Sequence, residues 1–229
     1  MLTLEGLLIE QGDFRLAADL TVGPGVVALM GPSGAGKSTL LAAIGGFIDV
    51  TGRVLVRGED VTALPPARRP VATLFQDNNL FPHLSIAQNV GLGISPRRLR
   101  AGDRARVDDV LARVGLEGLG ARKPGALSGG QQSRAALARA LVQDRPVVLL
   151  DEPFSALGPG LKAEMLDLAR DVLAADGRLM LMVTHDPADA ERVAGEVLLV
   201  LDGEVTGPHD RAALLADPPP ALRAYLGPA

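Results

Sequence analysis

Short, unbroken apolar runs punctuate this chain: "VVALM" at 26–30, "VVLL" at 147–150, "RLMLMVT" at 178–184 and "VLLVL" at 197–201. Each has strand length, and the lack of polar alternation within it is how a strand buried on both faces reads. Stretches with helical spacing separate the runs, so the pattern predicts an α/β fold, a mainly parallel sheet covered by helices.

Two segments depart from that alternation. "GRVLVRGEDV" at 52–61 alternates about a central Arg-Gly turn signal and predicts a β-hairpin, hence a small antiparallel layer in the amino-terminal third. From 83 to 125 the pattern becomes helical. "SIAQ" at 85–88 is a Ser-x-x-Gln capping box, and Val107, Val110, Leu111 and Val114 recur on one helical face. We read an inserted helical lobe at 83–125 within one domain spanning 1–229, whose core comprises 1–82 and 126–229. A further helix is expected from about Pro159 to Ala175, with Leu161, Met165, Leu168 and Val172 on its apolar side. The Pro-rich tail "ADPPPALRAYLGPA" is too short for another domain.

The chemistry concentrates at the ends of the apolar runs. "GPSGAGKST" at 31–39 fits G-x-x-x-x-G-K-[ST] and stands between the run 26–30 and the helix-like "KSTLLAAI", the setting a phosphate-binding loop requires. Gly31, Pro32, Ser33, Gly34, Ala35 and Gly36 would turn backbone N–H groups toward phosphate oxygens. Lys37 would neutralise the β/γ charge, and Ser38, followed by Thr39, would offer a hydroxyl to Mg²⁺. "VVLLDEP" at 147–153 sets Asp151 and Glu152 at a strand end, one suited to the magnesium shell and the other to polarising an attacking water.

A second motif, "LSGGQ" at 127–131, opens another helix with a Ser-x-x-Gln box formed by Ser128 and Gln131 around Gly129 and Gly130. It offers a second helix amino terminus with bare N–H donors, suited to an anion. One γ-phosphate does not need both ends in one chain. Two copies paired head to tail would let each "LSGGQ" close over the nucleotide held by the other.

Composition narrows the setting. Lys and Arg number 23 against 27 Asp and Glu, a net charge of −4, so there is no basic footprint and no nucleic-acid partner is expected. The absence of cysteine excludes disulfides and thiolate metal sites, and His83, His185 and His209 are too scattered for a metal-ligand spacing. Glu5 and Glu10 interrupt the first stretch where a signal peptide needs an apolar run. The apolar runs fall well short of the roughly 20 residues that span a bilayer, so a membrane role would pass through a partner.

Taken in order, "GPSGAGKST", Gln76 after "VATLF", "LSGGQ", "LLDEP" and His185 in "VTHD" resemble the motif series of the ATP-binding subunits of ABC transporters, over essentially the whole chain. The resemblance implies a P-loop NTPase fold of ABC type, ATP hydrolysis with Mg²⁺, and an ATP-sandwiched homodimer. It implies that Gln76 contacts the magnesium or attacking water and senses a membrane partner, and that His185 contacts the γ-phosphate. The implied partners are a transmembrane permease and, indirectly, a solute-binding protein outside the membrane, with this subunit on the cytoplasmic face of the bacterial inner membrane.

Two positions depart from the family pattern. "SALG" puts Gly158 where the family usually has an aspartate that touches the opposing phosphate loop, so slower or less tightly coupled hydrolysis is expected. No aromatic residue stands where the family stacks adenine; Phe14 is the nearest substitute, and it reads equally as a core residue of its strand. The stretch at 65–93 resembles the bacterial thiamine importer ATPases, which share its "NNLF" and "GLG" elements. Leu80 and Phe81 in it are either permease contacts or core of the helical lobe. Alternatives are an importer ATPase for sulfate, an iron complex, a polyamine or a sugar, a soluble ABC-type ATPase acting on nucleic acid or in translation, and a monomeric P-loop kinase. The last explains "GPSGAGKST" but not "LSGGQ".

Overall fold

The structure, a computed structural model, describes residues 1–74, 79–220 and 222–223. The predicted hairpin forms from β4 (Thr51–Val56) and β5 (Glu59–Asp60), turning through Arg57 and Gly58, both with positive φ (54° and 84°). That geometry suits a tight two-residue turn whose twist matches the flanking strands. The hairpin continues an antiparallel group with β1 (Leu2–Gln11) and β2 (Phe14–Val22).

The four apolar runs become β3 (Gly25–Met30), β7 (Val147–Asp151), β8 (Leu179–Val183) and β9 (Glu196–Leu201). With β6 (Val71–Leu74) and β10 (Glu204–Asp210), the described strands form one ten-stranded sheet ordered β5-β4-β1-β2-β10-β9-β3-β8-β7-β6. Every pairing from β9 through β3, β8 and β7 to β6 is parallel. β10 joins the two halves, antiparallel to β9 and parallel to β2.

The parallel strands are buried on both faces, as their unbroken apolar composition requires. In β3, Val26, Ala28 and Met30 face one core and Val27 and Leu29 the other, and β7 divides in the same way. The second core also holds the antiparallel strands and Leu40, Leu41, Ala43 and Ile44 of α1 (Lys37–Gly45), so the sheet's two halves share this helix. The first core gathers α2 (Ile86–Gly91), α3 (Ala101–Arg113), α4 (Gly129–Leu141), α5 (Pro159–Ala175) and α6 (Pro187–Val193). A further helix, α7 (Arg211–Ala216), follows β10.

Val107, Val110, Leu111 and Val114 are buried together, as their spacing predicts. In α5 the buried stripe is Met165, Leu166, Ala169, Val172 and Leu173, while Leu161 and Leu168 are only partly buried. The expected face followed a single diagonal of the helix. α5 packs against α4 as well as the sheet, which widens and rotates the covered stripe.

Candidate functional site

In a parallel sheet the loops after neighbouring strands emerge at one edge, which makes that edge a natural place to assemble a site. Here β3, β8 and β7 are adjacent. The loop 31–36 follows β3, Asp151 ends β7 with Glu152 after it, and His185 stands two residues beyond β8. The sheet thus brings together motifs more than a hundred residues apart. β6 ends at Leu74 beside β7, but Gln76 lies outside the described residues.

The phosphate loop is shaped by glycine. Gly31 has φ 151°, and a Cβ there would collide with the Val200 carbonyl oxygen; Gly36, at φ 103°, caps α1 and lies beneath the Phe14 ring. α1 has no side-chain cap, so its first amides, from Lys37, Ser38 and Thr39, remain donors at the positive end of the helix dipole. Lys37 folds back over the loop, its Nζ donating to the carbonyls of Gly31 (2.7 Å) and Pro32 (2.8 Å). Burial pulls its pKa below the ordinary lysine value against the opposing pull of Glu152 and Asp151.

Across the edge, Ser38 Oγ donates to Asp151 Oδ1 at 3.0 Å. Burial raises the Asp151 pKa, the Ser38 hydrogen bond and Lys37 oppose it, and Glu152 adds to the rise. Lys37 is buried and Asp151 partly buried, and burial disfavours the charged form of each. Glu152 adopts a left-handed backbone (φ 45°), a conformation that disfavours a β-carbon by roughly 1–2 kcal/mol. Ser155 holds it there, its N–H and Oγ both donating to the Glu152 carbonyl (3.3 and 3.1 Å). The turned backbone carries the Glu152 carboxylate to His185, with Oε1 3.3 Å from Nδ1.

At 127–131 the predicted capping box is present. Ser128 Oγ accepts from Gln131 N–H (3.3 Å) and Gln131 Oε1 accepts from Ser128 N–H (3.1 Å). The expectation of bare donors narrows accordingly: the box engages the Gln131 amide, and the Gly129 and Gly130 amides are the first-turn donors that remain. Gly130 is fixed by packing, since a Cβ there would come within 2.7 Å of Leu161 Cδ2. Farther along α4, Arg139 Nη1 donates to the Asn79 carbonyl (2.7 Å), tying the helix to the segment that begins there.

The two readings of Leu80 and Phe81 divide between the residues. Leu80 packs against the core, whereas Phe81 is 47% exposed. Fully buried Asn89 shapes this loop, accepting from Phe81 N–H (2.7 Å) and donating to the carbonyls of Phe81, Leu84 and Ser85. Phe14 is partly buried against the second core while its ring covers Gly36, so it joins the strand core to the phosphate loop.

Gly158 is the amino-terminal cap of α5, extended at φ −62° and ψ 156°, and a Cβ there meets nothing within 4 Å. An aspartate fits without strain and would accept from the first-turn amides. Gly158→Asp is expected to stabilise the fold by about 0.3–0.5 kcal/mol, read by urea denaturation. The resemblance implies that ATP hydrolysis should also quicken; an unchanged rate would show that the position does not limit it.

Sequence reasoning passed over Asn89, Arg69 and the charged group Lys162, Asp186 and Asp189. Only Asp186 had a local signal, an Asp-Pro pair at a helix start, where its side chain caps α6 by accepting from Ala188 N–H at 3.0 Å.

The pattern of the ABC transporter family matches residues 17–155, from β2 through Glu152. A "Thiamine import ATP-binding protein ThiQ" of Cereibacter sphaeroides is 62% identical over the whole of both chains. One of the same name from Ruegeria sp. is 59% identical over 99% of this chain and all of its own. Among solved structures, the dimeric post-hydrolysis state of the ATP-binding cassette MJ0796, bound to ADP and Pi, superposes with a TM-score of 0.75. It is 30% identical, over 92% of this chain and 99% of that one.

Proposed function

This chain belongs to the ABC transporter family, and from that premise we propose that it is the ATP-hydrolysing motor of a bacterial thiamine importer, with thiamine phosphates as further candidate solutes. The observation that carries the solute is the 62% identity, end to end, with a thiamine import ATP-binding protein. The sequence at 65–93 had suggested the same class.

In this reading the amides of the 31–39 loop and Lys37 bind the ATP phosphates. Lys37 exchanges its two carbonyl partners for β- and γ-phosphate oxygens, which restores the charge balance that burial disturbs. The Ser38 hydroxyl and Asp151 carboxylate, 3.0 Å apart, form an oxygen-donor pair fitted to Mg²⁺, with Gln76 assigned there by resemblance. When bound, the ion neutralises charge on the β- and γ-phosphates. Glu152 accepts a proton from the water that attacks the γ-phosphorus as the bond to the ADP oxygen breaks, and His185, beside it, contacts the γ-phosphate.

The Gly129 and Gly130 amides, with Ser128, reach the nucleotide of a second copy. Among the described residues no side-chain hydrogen bond or ion pair joins 127–131 to 31–39 of the same chain, which favours that arrangement. The dimeric state of the solved relative supports it. No helix among the described residues is long and apolar enough to cross a membrane. The likeness to thiamine import ATP-binding proteins supports attachment to a permease at the cytoplasmic face of the inner membrane. The helical lobe at 83–125 and the exposed Phe81 ring would meet that permease, and an external solute-binding protein would deliver the solute.

Uptake of labelled thiamine at low external concentration tests the reading, in cells carrying this gene, lacking it, or expressing Glu152→Gln. Loss in both defective strains, with control solutes entering normally, is the expected result. Unchanged thiamine uptake in cells with no redundant route would assign the motor to another solute.

A further inference from the structure

Behind the Glu152 and His185 pair lies a charged group that joins the start of α5 to the turn and helix after β8. Lys162, in the first turn of α5, places Nζ 3.0 Å from Asp186 Oδ2 and 2.7 Å from Asp189 Oδ2. Its side chain is only 18% exposed and that of Asp189 12%. Thr184 completes the group, its Oγ1 lying 2.7 Å from Asp189 Oδ2 and accepting from Asp186 N–H at 3.0 Å.

His185 sits between Thr184 and Asp186, so its backbone is fastened on both sides while its side chain remains 60% exposed. The other end of the bridge is equally placed. α5 begins seven residues after Glu152, and Lys162 N–H donates to the Gly158 carbonyl at 2.9 Å in the helix's opening turn. Glu152, Ser155, Lys162, Thr184, His185 and Asp189 line one small pocket.

We propose that Lys162 is a positioning residue for hydrolysis: by bridging Asp186 and Asp189 it sets the backbone carrying His185 against the segment that runs from Glu152 into α5. This rests on the ATPase reading above. A shift of about 1 Å in a reacting constellation can reduce turnover by about a hundredfold, so the placement of this short turn bears on the rate. The anchor also lies just beyond Gly158, where no side chain is available to fix the turn. Burial opposes the Lys162 charge, yet hydrogen bonds and attraction from both aspartates raise its pKa on balance, so it stays cationic at neutral pH.

The test measures phosphate release against ATP concentration for the full chain, with Lys162→Met, Lys162→Arg and Asp186→Asn, and Glu152→Gln as control. Lys162→Met is expected to lower kcat by about 10–100-fold with KM for ATP little changed, while Lys162→Arg recovers most of the loss. Should circular dichroism show that Lys162→Met does not fold, Asp186→Asn, at the more exposed end, carries the test with the same split in kcat and KM. A folded Lys162→Met or Asp186→Asn that turns over like the unmodified protein overturns the proposal, as does a loss in Lys162→Arg as deep as in Lys162→Met. No phosphate release from the unmodified protein would instead overturn the ATPase reading itself, and full activity in Glu152→Gln would overturn only the assignment of Glu152 as the base.

Discussion

Replacing Glu152 by glutamine is expected to slow ATP hydrolysis by about 10²–10⁴-fold, the range a positioned general base contributes, while ATP binding persists. The amide keeps the size of the side chain and its place beside His185 but cannot take a proton from water. Because the phosphate loop and Lys37 are untouched, the variant should hold ATP and accumulate in the closed, paired state. Light scattering should then show the mass doubling from 23.7 kDa when ATP and Mg²⁺ are added. A variant that stays monomeric under every ATP condition, alone and with its permease, would remove the two-copy arrangement. It would leave the loop at 31–39 serving a monomeric chemistry.

The second large effect is expected far from any phosphate. Arg69 is 3% exposed, and its guanidinium donates to four backbone carbonyls: Nε to Leu64 (2.9 Å), Nη1 to Ala43 (2.7 Å) and Ile44 (2.9 Å), and Nη2 to Thr62 (2.6 Å). Ala43 and Ile44 are in the last turn of α1, where carbonyls run out of helical donors, and the Ala43 carbonyl also accepts from the Gly46 N–H at 3.1 Å. A cation there also complements the negative end of the dipole, and the opposite end of the same helix carries the phosphate loop. Gly46 makes the fit possible, because at φ 81° it has no Cβ to collide with Nε.

Arg69→Met keeps much of the volume and strands the carbonyls. We expect a loss of about 2–4 kcal/mol in urea denaturation, since a buried acceptor left without its donor costs about 1–3 kcal/mol and several are affected. Against a typical stability of about 5–15 kcal/mol, that brings the fold close to its limit. Arg69→Lys should recover less than half, since one ammonium cannot span four carbonyls in a planar fork. A loss below about 1 kcal/mol would mean that solvent or rearranged backbone replaces these bonds.

Much of this could be read along the chain because it is local. A phosphate loop is defined by glycines that allow its turns and by the lysine and serine that follow, all within nine residues. Both Ser-x-x-Gln boxes formed because each needs only four consecutive residues. The buried strands were visible because a strand covered on both faces cannot afford polar alternation.

What the order of residues left open was settled by contacts across the sheet. The parallel order β3-β8-β7 sets the 31–39 loop, the two acids and His185 at one edge, and no single motif encodes that order. The two diagonals of α5 could be weighed only once α4 lay against it, and Phe81 parted from Leu80 only once Asn89 had shaped their loop. Arg69 and Lys162 were unreadable for the same reason: a charge gains its role from partners that packing brings near. The sequence by itself thus determined the chemistry available at each strand end and helix start, through short-range rules of backbone and hydrogen bonding. Only the tertiary structure decided which of those groups meet and which buried charges hold them there, because burial and electrostatic pairing depend on neighbours distant in the chain.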